Sequence, residues 1–215
     1  MASKPISGIF VCTRKQNVSQ MFPHCIRIPT RLQAISVVDG IPAIDEKREH
    51  AFICVVMEQN SEALFEKEDE IYCWEISGHS EIDITEKGTK YAETVFQMEE
   101  YAEALILLEK EFERQNVGLR VWRLSKAWRF ITEAKYLIGV IESEVAHADA
   151  ITGFSKQVRV ADLIFGLREK SKNAKAKLER KRGNLESQSH NISFFYFLFG
   201  TFFGLFISIL LKFIS

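Results

Sequence analysis

ISFFYFLFGTFFGLFISILL, residues Ile192 to Leu211, carries no charge anywhere along its length. About 20 apolar residues at a rise of about 1.5 Å reach about 30 Å, the thickness of a bilayer's hydrocarbon core. A buried soluble helix of this composition would need apolar partners on every side. Nothing upstream is hydrophobic enough to wrap it. The stretch therefore predicts a C-terminal transmembrane anchor over residues 191–215. Lys212 lies beyond it, on a stem long enough to carry its ammonium to the far head groups.

Immediately upstream the chain is basic. Residues 118–190 carry 15 Lys and Arg against 8 Asp and Glu, whereas residues 1–117 carry 12 against 21. The excess peaks in Arg168, Lys170, Lys172, Lys175, Lys177, Arg180, Lys181 and Arg182, opposed there only by Glu169 and Glu179. Lys and Arg flanking a span stay on the cytoplasmic side. They also attract an anionic leaflet. This stretch reads as a membrane-associating stalk. No leader-like apolar run follows the single Lys4 near the start. The expected topology is a single-pass C-terminal anchor with the body in the cytosol. A bacterial inner membrane is favoured, and an endoplasmic reticulum membrane also fits.

Between residue 85 and the stalk the pattern is helical. Thr85 offers a helix cap, and Tyr91, Val95, Met98, Ala102, Leu105 and Phe112 follow at spacings of three and four or their sum. After a break at 116–118, Leu124, Ala127, Ile131, Ala134, Ile138, Ile141, Val145 and Ala148 repeat the spacing without a miss. After Thr152-Gly153, Val160, Ile164 and Leu167 continue it through Ser171, Ala174 and Leu178. Seven-residue spacing with short breaks predicts a long-helix, coiled-coil-like bundle of three helices. Its parts are an antiparallel hairpin over 85–155 and a third helix with its stalk over 156–190. The third helix ends at the membrane, so the second begins near it. Arg120, Trp122, Arg123, Lys126, Trp128 and Arg129 are then candidates for the lipid–water interface, where an apolar ring with a polar N–H is favoured.

Residues 1–84 read as a small, mostly antiparallel β domain. Ile9–Cys12, Cys25–Ile28, Ala34–Val38, Ala51–Met57 and Ile71–Ile76 are short apolar or alternating runs bounded by Pro, Asp-Gly and Ser-Gly. A short helix over 62–65 and a solvated acidic loop at 66–70 complete it. The fold class is α+β. Cys12, Cys25, Cys54 and Cys73 lack the CxxC spacing of redox or metal sites and read as free, buried, small hydrophobes.

Catalytic and cofactor signatures are missing: no P-loop, dinucleotide loop, HExxH or GxSxG occurs. His24-Cys25 and the His50/Cys54 pair are the best nucleophile candidates. Neighbours on a strand face opposite ways, so the first pair is badly placed. No nucleic-acid motif accompanies the basic run. Within the span, Gly200, Gly204 and Ser208 repeat a small-xxx-small face that permits close helix approach. The expected function is non-enzymatic. The body binds a protein or small ligand and couples it to an anionic bilayer, as a homo-oligomer. By fold-level analogy this layout suits an exclusion, immunity or membrane-disrupting defence protein. A passive tether and a membrane-bound cysteine enzyme are the alternatives.

Overall fold

The computed structural model describes residues 6–14, 26–38, 41–57, 71–114 and 121–214. Four strands, β1 (Ile6–Thr13), β2 (Ile26–Val38), β3 (Ile41–Met57) and β4 (Ile71–Gly78), precede three helices, α1 (Glu81–Arg114), α2 (Val121–Ala150) and α3 (Val158–Ile214). A short 3-10 turn, Phe154–Lys156, joins α2 to α3. The layout is α+β: a small antiparallel β part followed by three helices, the last long and apolar.

The sheet order is β2-β3-β1-β4, and every neighbouring pair is antiparallel. Phe10 and Cys12 of β1, with Tyr72, Trp74 and Ile76 of β4, join the main core beneath the helices. Ile9, Val11, Ile71 and Cys73 form a second buried cluster on the opposite face. Burial on both faces explains why Ile9–Cys12 is continuously apolar instead of alternating.

Strands β2 and β3 form a long hairpin in which Val38 pairs with Ile41. Asp39-Gly40, the turn signal between them, lies outside the described residues. Pro29 does not end β2, which continues from Ile26 to Val38. An edge strand tolerates proline because one side of its backbone has no ladder to complete. A register shift between Gln33 and Ile35 moves the inward set from Ile28 and Leu32 to Ile35. The free side of β2 at Gln33 is closed by Gln97 of α1. Its carboxamide accepts from the Gln33 N–H (2.8 Å) and donates to the Gln33 carbonyl (3.1 Å).

Helix α1 begins at Glu81, a turn before Thr85. Ser80 is the cap: its Oγ accepts the Asp83 N–H at 3.2 Å, and Asp83 Oδ2 accepts the His79 N–H at 2.9 Å. Thr85 instead donates its hydroxyl to the Glu81 carbonyl inside the first turn. The helix crosses the sheet so closely that a Cβ on Gly88 would lie 2.1 Å from the Phe10 ring. Tyr91 and Ala102 are only half buried, while Ala92, Phe96, Tyr101 and Leu108 are buried. Sheet and helices cover α1 from two sides, so its apolar face is wider than a single seam.

On α2, every residue of the sequence-read stripe from Ala127 to Ala148 is buried. Arg168 pairs with Asp149 at 2.7 Å and Lys175 with Glu142 at 3.0 Å, so α2 and α3 run antiparallel. Lys177 pairs with Glu109 at 3.1 Å, and Lys181 stands over the Phe112 ring, so α1 runs with α3. Helix α3 starts at Val158, after Phe154–Lys156, and does not stop at residue 190. It continues unbroken through the apolar segment for 57 residues, about 85 Å. Buried residues of sheet and helices form one contiguous core that ends on α3 at Leu185.

Candidate functional site

Two regions carry chemistry. The first is the end of the helices that faces the span. Beyond Leu185 the described side chains of α3 are exposed or only partly buried. Phe197, Phe199 and Phe202 each expose about 70% of their surface, and large apolar side chains point outward in every direction. An exposed apolar surface of this extent marks a membrane or protein contact. One C-terminal helix is thus long and apolar enough to span a membrane, as the sequence indicated.

Gly200, Gly204 and Ser208 lie on one face of this segment. Nothing stands within 4 Å of the Cβ positions of the two glycines. The Ser208 hydroxyl donates to the Gly204 carbonyl at 2.9 Å, and Thr201 donates to the Phe197 carbonyl at 2.8 Å. Both hydroxyls are satisfied within their own helix.

The structure divides the basic stalk. Arg168, Lys175 and Lys177 fasten α3 to Asp149, Glu142 and Glu109, and Arg182 pairs along the helix with Glu186 at 2.9 Å. Lys181 is half buried at a seam position, 5.7 Å from the centre of the Phe112 ring, and burial lowers its pKa. Lys170, Lys172 and Arg180 make no ion pair with described residues. Of the interfacial candidates, Trp128 packs half buried against the core. Lys126 and Arg129 are exposed. Arg120 lies outside the described residues, as do the side chains of Trp122 and Arg123.

The second region is a polar cleft that sequence patterning did not reveal. A cavity of about 420 Å3 is lined by Arg14 after β1, Phe96, Glu99, Ala102 and Glu103 of α1, and Leu163 of α3. Arg14 donates from Nη1 to Glu100 Oε1 (3.0 Å) and from Nη2 to the Phe96 carbonyl (2.9 Å), and lies 4.7 Å over the Phe96 ring. Its Nε, 3.7 Å from Glu99 Oε2, has no hydrogen-bond partner among the described residues. The Tyr72 hydroxyl donates to Glu99 Oε1 at 2.6 Å. Burial raises the Glu99 pKa above the usual carboxylate range against the pull of Tyr72 and Arg14. Burial, then the Glu99 bond, raises Tyr72 far above its ordinary value. Arg159 donates to the Ile71 carbonyl at 3.2 Å. Each residue looks ordinary in the sequence. Only the crossing of β1 over α1 assembles them.

The cleft brings charged and apolar side chains together around one cavity. Cys12 is wholly buried, and desolvation pushes its pKa well up, away from the thiolate a nucleophile needs. Cys54 is also buried, at 1% exposure. Cys73 is buried in the strand next to β1. His24, Cys25 and the side chain of His50 lie outside the described residues. The expected short helix over 62–65 and the acidic loop at 66–70 also lie outside them. Among described residues no group of three His, Cys, Asp or Glu is arranged to hold a metal. No family model, curated protein or solved structure matches the chain.

Proposed function

We propose that the chain is a non-enzymatic, single-pass membrane protein whose cytosolic body binds a ligand or partner and couples that event to the bilayer. One observation carries the reading. Helix α3 lines the polar cleft through Leu163 and, without a break, becomes the apolar segment. The last buried core residue, Leu185, lies about 10 Å along the helix before Ile192. A passive tether needs no such continuity. Here any change in the cleft that turns or tilts α3 also turns or tilts its lipid-embedded half. The heptad seam supports coiled-coil-like packing of α2 on α3, which resists bending along that path. The open face of Gly200 and Gly204 supports self-association in lipid as the output.

The test is complementation in cells lacking the protein, with three altered chains. Ten Gly-Ser residues inserted after Gln188 cut the coupling but keep the anchor, and should abolish function. An unrelated apolar helix grafted in phase keeps the coupling but removes the glycine face. It should abolish function when self-association is the output, as should Gly200→Leu with Gly204→Leu. A tether would survive all three, and that result would end the proposal. Full activity lost on Cys54→Ala or His50→Ala, with the fold intact, would favour the cysteine enzyme instead.

A further inference from the structure

We infer that the anionic-lipid contact of this protein is made by the start of α2, through Lys126 and Arg129 beside Trp128, and not by the basic stalk of α3. The inference rests on the anchored reading above. The two ion pairs between α2 and α3 fix an antiparallel register, stepping seven residues in opposite directions. A smaller cavity is lined by Glu142, Val145 and Ala146 of α2 and by Arg168 and Ser171 of α3, in keeping with that register. Carried toward the membrane, that register sets Arg129 level with Gln188, Trp128 with Ser189 and Lys126 with Asn191. The partial burial of Gln188, Ser189 and Ile192 amid exposed neighbours agrees, because α2 still shields that side of α3.

Heights then decide between the two sets of cations. At a rise of about 1.5 Å, Lys126 and Arg129 stand about 2 Å and 6 Å before Ile192, inside a head-group layer about 5–8 Å deep. Arg180 stands about 18 Å away, and Lys172 and Lys170 about 30 Å and 33 Å. With a screening length of about 8 Å at physiological salt, these three feel little of the leaflet's field. A helix tilt of about 20° moves a neighbouring helix about 10 Å away by about 3 Å, too little to reverse the order of the two sets. Arg182 and Lys181 stand about 15 Å and 17 Å away and are engaged besides, Arg182 with Glu186 and Lys181 over Phe112. Lys126 and Arg129 are exposed and make no ion pair with described residues. Trp128 sits between them with one side on the core and the other outward.

The experiment uses the full chain with Trp122→Phe, reconstituted in phosphatidylcholine vesicles. Trp128 is the reporter, and Trp74, 3% exposed at the far end of the body, is the background. Nitroxide on the lipid head group should quench Trp128 strongly, and nitroxide near the acyl terminus weakly. At equal mole fraction, labelled phosphatidylserine should be enriched around Trp128 over labelled phosphatidylcholine by roughly fivefold or more, from the expected attraction of each surface cation. Lys126→Gln with Arg129→Gln should remove that preference, whereas Lys172→Gln with Arg180→Gln should leave it. A chain that floats with the vesicles but shows no head-group quenching, or keeps its preference after the first pair of changes, overturns the inference and leaves the anchor intact. Loss of preference with the second pair alone returns the role to the stalk and equally overturns it. A chain that does not float at all overturns the anchored reading itself.

Discussion

Gly88→Ala tests the closest approach in the fold. A Cβ at residue 88 would lie 2.1 Å from Phe10 Cδ2, 2.2 Å from Cγ and 2.5 Å from Cε2. Ordinary carbon contacts are about 3.5–4.0 Å, so helix and ring must part by about 1.5 Å. Phe10 has nowhere to retreat: it is fully buried on a strand paired on both sides. The helix must therefore lift, at the upper end of the ~1–3 kcal/mol typical of overpacking. Alanine's better helix propensity returns about 1 kcal/mol. The net expectation is about 2 kcal/mol of destabilisation, a fall in Tm of about 4–8 °C for a body of this size. Thermal unfolding of the full chain in mild detergent, followed by tryptophan emission, measures it. The sharper form is a double-mutant cycle with Phe10→Ala. Once the ring is gone, Gly88→Ala should stabilise by about 1 kcal/mol, so the two sites should couple by about 3 kcal/mol. If Gly88→Ala is neutral or stabilising with Phe10 present, α1 does not cross β1 at this point, and the cleft that depends on that crossing is wrong.

Phe154→Ala should cost about 3–5 kcal/mol, because the ring is fully buried and stacks 5.8 Å from Trp74. A red shift of Trp74 emission before global unfolding would report it; an unchanged spectrum and Tm would count against the packing. Glu99→Gln should stabilise the protein near neutral pH. The folded-state pKa of Glu99 is raised, so the native state holds its proton more tightly than the unfolded chain. Stability is then lost as pH rises from the unfolded value toward the folded one. The advantage of Gln should shrink as pH falls back through that window, and a pH-independent difference would refute the assignment. Arg168→Gln with Lys175→Gln should cost only about 1 kcal/mol in all, since both ion pairs are largely exposed. A much larger loss would mean that they carry the register rather than report it.

The span, the seam of α2 and most strand centres were legible because each signal is local: an uncharged run, a fixed spacing, a block of β-branched residues. What escaped depended on position in three dimensions. Strand β3 extends back through Asp45–His50, a charged segment with no apolar alternation to betray it. Pro29 looked like an end because its place on an edge strand is a property of the sheet order. Ser80 was passed over for Thr85, although Ser80 with Asp83 forms the pair that satisfies the first turn. Arg14, Tyr72 and Glu99 are separated by as many as 85 positions, and no pattern in the chain relates them.

On the anchored reading, the stalk illustrates how charge read along one dimension differs from charge placed in the fold. In the sequence, eight cations next to a span look like a single electrostatic feature. In the fold, α3 carries them up the side of the body at about 1.5 Å per residue, so nearness in sequence becomes height above the lipid. Height matters steeply, because screening extinguishes the leaflet's field over about 8 Å. Three of those cations meet carboxylates of α1 and α2 and serve the body. Residues more than 60 positions from the span, at the start of α2, are brought back to its entrance by an antiparallel turn. With α3 crossing the bilayer as proposed, its continuity fixes the height of each cation, and that height decides which of them lie close enough to meet a phosphate.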